Sequence, residues 1–103
     1  VNLFEGKNFL VKELTVNSKS SISLQKHNYR SEHWMITQGK PKITINKRKF
    51  YKTANESVFI PTGAVHRIEN EYIKPVKIIE VQTGPILKET DIIRYKDIYG
   101  RIK

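Results

Sequence analysis

No stretch of twelve or more residues in this chain keeps a helical period of apolar side chains. Short runs rich in β-branched and aromatic residues recur instead. They read FLVKELTV (9–16), ISLQKH (22–27), EHWMITQ (32–38), KITIN (42–46), KFYKT (49–53), SVFIP (57–61), VHRIEN (65–70) and VKIIEVQT (76–83). Turn-forming residues break them at 17–21, 39–41, 46–48, 61–63, 71–75 and 84–85. Strands this short and this regularly spaced predict an all-β sandwich or barrel. The closing stretch, DIIRYKDIYGRIK, is compatible with a last strand, a short helix or an arm.

A chain of 103 residues holds one domain, expected to span 1–103. Its 38% hydrophobic and 28% charged residues suffice for a buried core, which sets it apart from disordered chains. No apolar run is long enough to cross a bilayer as a helix, and no signal segment is present. A cytoplasmic location without a membrane partner is therefore expected. The absence of cysteine removes disulfides and thiolate ligands. Any metal must use His, carboxylate, amide or water, which suits Zn, Mn, Fe, Co or Ni. The first residue is Val, not Met, which fits a piece of a longer chain.

Net charge is +9, which gives either a generally positive field or an anionic partner. The densest cluster, KPKITINKRKFYK, alternates lysines with strand formers. It predicts a solvated hairpin with Lys47, Arg48 and Lys49 at its turn. A nucleic-acid face more often sets aromatics between the basic groups, so no nucleic-acid partner is expected.

Strand geometry sorts the polar residues. Side chains two apart share a face. Gln25 and His27 point the same way as Ser23, and Glu32 shares a face with Trp34 and Ile36. His33 falls on the other face with Met35 and Thr37, and becomes a ligand in place of Glu32 only if a bulge turns it inward. Gln25, His27, Glu32 and His66 together make an amide, a carboxylate and two imidazoles, a set suited to a divalent first-row metal. Scattered histidines also serve as surface or hydrogen-bonded residues, so spacing alone leaves both readings open. Trp34, Phe59 and Ile60 read as core, and Pro61 and Gly63 as the turn that presents His66.

Two motifs tip the balance. Gln25-Lys-His27-x4-Glu32-x6-Gly39 resembles the first motif of the cupin superfamily, G-x5-H-x-H-x3–4-E-x6-G, with Gln for the first His and Ser20 near the place of the leading Gly. Pro61-Thr-Gly63-x2-His66-x3-Asn70 resembles the second, G-x5-P-x-G-x2-H-x3-N, with Asn55 at the first Gly, a swap that a left-handed backbone tolerates. The resemblance implies a cupin double-stranded β-helix, a jelly-roll barrel, with Gln25, His27, Glu32 and His66 as metal ligands. SLQKHNYRSEHW, ANESVFIPTGAVHRIEN, IIEVQTG and DIIRYKDIYGR further resemble the type II mannose-6-phosphate isomerase family. In that family the cupin domain often forms the C-terminal part of a bifunctional enzyme with mannose-1-phosphate guanylyltransferase activity. Asn28 and Tyr29 depart from its commonly His-rich loop, and its R-P-W-G segment and first strand are not seen, which suggests a fragment or the loss of an outer strand.

This resemblance implies a metal-dependent isomerase that interconverts mannose 6-phosphate and fructose 6-phosphate through a cis-enediol, in GDP-mannose and polysaccharide biosynthesis. Zinc is the first expectation for the metal. The chemistry needs a Lewis acid, a base and a cationic grip on phosphate. Glu80, which shares a face with Val76, Ile78 and Gln82, is the expected base; its alternative is a structural partner of an Arg or of backbone. Arg30, Arg67 and Gln82 are the expected substrate contacts. A regular strand turns Arg67 away from His66, and Arg30 has the alternative of a salt bridge with Glu32 or Glu69. Lys96, Asp97 and Arg101 are candidates to close over the pocket. The competing expectation is a cupin module that binds a phosphosugar or sugar nucleotide without turning it over. A homodimer is expected from the need to cover edge strands.

Overall fold

In the computed structural model, the described residues are 2–85 and the backbone of 93–95. They form β1 (Asn2–Gly6), β2 (Phe9–Val16), β3 (Leu24–Lys26), β4 (Ser31–Gln38), β5 (Lys42–Ile45), β6 (Arg48–Tyr51), β7 (Ser57–Ile60), β8 (His66–Glu69), β9 (Val76–Thr83) and β10 (Ile93–Tyr95). No helix occurs among them. One sheet has the order β1-β2-β9-β4-β7 and the other β10-β3-β8-β5-β6, with every pairing antiparallel.

The two long strands β2 and β9 match the expected runs residue for residue, paired from Phe9↔Thr83 to Val16↔Val76. The alternation of β9 explains this, since its pairing also fixes β2. In β9, Val76, Ile78, Glu80 and Gln82 are buried while the residues between them are partly exposed. In β4, Glu32, Trp34 and Ile36 are buried and His33 and Met35 are exposed. A slip of one residue would send this whole set to solvent, so the pattern fixes the register.

The buried rows are graded along their length. Trp34, Ile36, Ile43, Ile45, Val58, Ile60, Ile68, Val76 and Ile78 meet between the sheets as one apolar cluster, which Leu14 and Phe50 extend. Further along the same strands, buried positions turn polar: Glu32 on β4, Glu80 and Gln82 on β9, and His66 on β8. The apolar half supplies the burial that orders the sheets. The polar half is held in place by that scaffold and is free to carry chemistry.

The structure corrects several expectations. An outer strand is present: β1 pairs with β2 through backbone hydrogen bonds while all five of its residues stay exposed. With nothing buried it leaves no alternation in the sequence. The basic hairpin turns at Asn46 and Lys47, with Asn46 left-handed (φ 54°), so Arg48 and Lys49 belong to β6. Phe59 is not core: it alternates with Val58 and Ile60 and lies exposed against His33, ring centroids 4.7 Å apart. His33 is therefore no ligand, because the bulge in β4 falls between Ile36 and Gln38 and leaves Glu32 facing inward. Asn55 is left-handed (φ 73°) as expected, but ahead of Gln25 the left-handed residue is Lys19 (φ 55°), one place before Ser20. Of the closing stretch, 93–95 form a strand paired with β3. Lys96, Asp97 and Arg101 lie outside the described residues.

Candidate metal centre

His27, Glu32 and His66 converge, with one candidate donor atom from each lying within 4.8 Å of the others. All three are buried. Glu32 comes from the inward row of β4, His66 opens β8, and His27 follows the end of β3. The turn before β8 is tied to His27: the Gly63 N–H donates to the His27 carbonyl at 2.8 Å. Gly63 has φ +85°, a conformation that side-chain-bearing residues rarely adopt. This explains how Pro61–Gly63 presents His66.

The donor geometry suits a cation. His66 Nδ1 lies 3.1 Å from the Ala64 carbonyl, which can only accept, so Nδ1 carries the proton and Nε2 faces Glu32 Oε1 at 3.9 Å. Burial pushes the His66 pKa down, against the pull of Glu32, and so favours the neutral, ligating form. Burial alone would raise Glu32. Hydrogen bonds with His27 and Glu80 and the attraction of the two imidazoles outweigh it and hold this carboxyl well below its usual range. The site therefore offers an ionised carboxylate and a neutral imidazole, which are the forms that bind a divalent ion. These residues form a possible His–Glu–His metal site.

Arg30 sits inside this cluster rather than at its mouth. Its Nε lies 3.3 Å from Glu32 Oε2 and its Nη2 3.1 Å from His27 Nε2, while His27 Nε2 lies 3.0 Å from Glu32 Oε2. The alternative of an ion pair with Glu32 is thus realised. The Arg30 Nη1 is buried without a hydrogen-bond partner. Trp34 is core, and it also donates from Nε1 to Glu32 Oε1 at 3.0 Å and meets His66 edge-on.

Beside the cluster lies a cavity of about 140 Å³, lined by Glu32, Trp34 and Glu80 of one sheet and by Gln25, His66 and Ile68 of the other, among others. Gln25 pairs directly with His66 across β3 and β8 and lines the cavity, with its Nε2 donating to Ser23 Oγ at 3.4 Å. Glu80 is buried, and burial first, then its hydrogen bond with Glu32 and the Glu32 charge, push its pKa up to about 9. Both amide atoms of Gln82 are buried without a hydrogen-bond partner. Arg67 contributes to the cavity wall, but it alternates with His66 and Ile68 and its Nη2 donates to Ser21 Oγ at 2.9 Å, with Glu69 at 3.9 Å. Its guanidinium is thus engaged away from the cluster.

Sequence reasoning missed Lys12. It lines the cavity from β2, directly across from Glu80. The signal was there to read: in FLVKELTV it takes the inward place between Leu10 and Leu14.

Comparison with known proteins identifies the family and the fold. The family described as mannose-6-phosphate isomerase C-terminal matches residues 2–97. Alginate biosynthesis protein AlgA of Pseudomonas putida is 45% identical over 96 residues, which is 93% of this chain and 20% of that one. A mannose-1-phosphate guanylyltransferase of Klebsiella pneumoniae is 45% identical over 93 residues, 90% of this chain and 20% of that one. The chain thus spans about a fifth of the length of these curated relatives. Among solved structures, the Cnp3 cupin domain of Schizosaccharomyces pombe superposes with a TM-score of 0.79 at 18% identity, covering 82% of this chain and 62% of that one. The fold is a cupin double-stranded β-helix, and the chain belongs to the mannose-6-phosphate isomerase C-terminal family.

Proposed function

We propose that this chain is a metal-dependent aldose–ketose isomerase acting on mannose 6-phosphate and fructose 6-phosphate. One observation carries the reading: His27, Glu32 and His66 meet beside the buried Glu80 at the edge of a cavity, in a chain of this family. His27, Glu32 and His66 would hold the ion, with Gln25 as the fourth ligand and zinc as the first choice of metal. A divalent ion bound there supplies Lewis acidity at the sugar carbonyl. Glu80, with its raised proton affinity, is the group that exchanges a proton with the substrate. Arg30, Gln82 and Arg67 are the proposed substrate contacts, Arg30 through its buried Nη1 and Arg67 from the cavity wall. The family description and the low share of the relatives' length fit a C-terminal portion of a longer, bifunctional chain.

The test is turnover. The protein loaded in turn with Zn, Mn, Co, Ni and Fe(II) should convert mannose 6-phosphate to fructose 6-phosphate, and His27→Ala and His66→Ala should abolish it. Bound metal without conversion under every ion would overturn the reading. A non-catalytic cupin module for a phosphosugar or sugar nucleotide is the second reading. It draws on the cavity size: about 140 Å³ lies below the several hundred Å³ usual for a small-molecule pocket. Binding of the sugar phosphate without turnover would favour it. A homodimer is also proposed, since among the described residues β1 and β7 end one sheet and carry exposed Leu3, Phe4 and Phe59. Sedimentation at micromolar concentration should give twice the monomer mass.

A further inference from the structure

Lys12 lines the cavity from β2. Along β2 the inward row runs Leu10, Lys12, Leu14, Val16, and Lys12 is half-buried there, a basic group in an otherwise apolar row. The strand registers place Lys12 opposite Glu80, and Glu80 opposite Trp34. The adjoining row runs Leu10, Gln82, Glu32. The expected base therefore stands between Lys12 on one side and the Trp34–Glu32 strand on the other. Among the described residues, Lys12 is the one lysine that lines the cavity.

We propose that Lys12 is a catalytic residue whose ammonium holds the negative charge that develops on the substrate oxygens during isomerisation. The inference rests on the isomerase reading above. The cavity is too small for a whole hexose phosphate, so the part of the sugar that reaches Glu80 is its reacting end. In the open-chain aldose the C2–H bond breaks and Glu80, as carboxylate, takes the proton. The freed pair forms the C1–C2 double bond, and the carbonyl pair moves onto the C1 oxygen. The C2 hydroxyl proton then passes to the C1 oxygen and leaves the charge on the C2 oxygen. Glu80 returns its proton to C1 as the C2 carbonyl forms. Atoms and electrons balance without an added oxidant or reductant. Throughout, a negative charge lies on one or the other of two adjacent oxygens. A cation across from Glu80 on the cavity wall is placed to offset it.

The experiment uses the native full-length protein loaded with zinc, with the variants Lys12→Met and Lys12→Arg. Lys12→Met should lower kcat about 100-fold, the scale for loss of one group that stabilises a transition-state oxyanion. KM for mannose 6-phosphate should stay within about threefold, and Lys12→Arg should recover part of kcat. Calorimetry adds a readout that folding alone would not move. A hydroxamate analogue of the enediolate, carrying the same phosphate, should bind Lys12→Met about tenfold or more weaker, whereas mannitol 6-phosphate, uncharged at the reacting end, should bind within about twofold of wild type. If both ligands weaken equally and kcat survives, Lys12 is a phosphate contact and the proposal is overturned. Wild-type kcat in both variants overturns it as well. A wild-type protein that binds zinc yet turns over no sugar defeats the isomerase reading itself, an outcome separate from these.

Discussion

Asn70 shows at the residue scale how a motif position can be structural. It is buried, and its Nδ2 lies 3.1 Å from the Val16 carbonyl, 3.2 Å from that of Asn17 and 2.9 Å from that of Lys74. Its Oδ1 accepts from the Tyr72 N–H at 3.0 Å. This one side chain ties the end of β2 to the 70–75 loop and takes no part in the metal cluster. Asn70→Ala strands several backbone groups, and urea denaturation should show a loss of about 2–3 kcal/mol with metal binding retained. A second residue-scale prediction concerns the exposed pair Tyr51 and Glu71, whose hydroxyl donates to the carboxylate. That bond, with smaller contributions from burial and nearby acids, pushes the Tyr51 pKa up from 10.0 to about 12. A raised pKa means the contribution is fully present below pH 10 and is lost as the pH climbs through 12. Glu71 is shifted down by the same bond, so its share is present above pH 4.5 and fades as the solution is acidified. Absorbance titration should resolve one of the five tyrosines ionising near pH 12. Tyr51→Phe should remove that late step.

Among the elements, the loop between β3 and β4 is held by a glycine from β9's far end. A β-carbon at Gly84 would lie 2.3 Å from the Tyr29 carbonyl oxygen and 2.9 Å from the Arg30 Cα. Both are backbone atoms, so neither can swing aside. Gly84→Ala should cost about 1–3 kcal/mol in urea denaturation and weaken zinc binding, because the displaced loop carries Arg30 away from Glu32 and His27. Strands β4 and β9 were legible because each buries one row and leaves the other more exposed, so the period of two is written in their side chains. The same alternation put Glu32 inside and His33 outside before any coordinates. β1 was illegible because all five of its residues are exposed, so no alternation of burial marks it, although Phe4 meets Phe9 of β2 with ring centroids 5.6 Å apart. Phe59 misled because a bulky aromatic beside Ile60 reads as core, although adjacent strand residues point to opposite faces. The position of Arg30 within the cluster follows from the loop's close approach to Gly84, a contact about fifty residues away in the chain.

For the molecule as a whole, the two sheets divide the labour: β4 and β9 bring Glu32 and Glu80, while β8 and the end of β3 bring His66 and His27. An ion held between them binds the folded form and not the unfolded chain. At a free concentration a hundredfold above Kd, this adds about 2.7 kcal/mol. For a chain of this size, that corresponds to a rise in Tm of roughly 10–20 °C. Scanning calorimetry with and without zinc should show the rise in the wild type and not in His66→Ala. The Gly63 amide, bonded to the His27 carbonyl, gives this assembly a reporter of its own. If the two halves of the centre open together, that single proton exchanges with solvent only when they part. Its exchange rate, followed by NMR, would then report how often the barrel comes apart at its working end, and occupancy of the site should slow it.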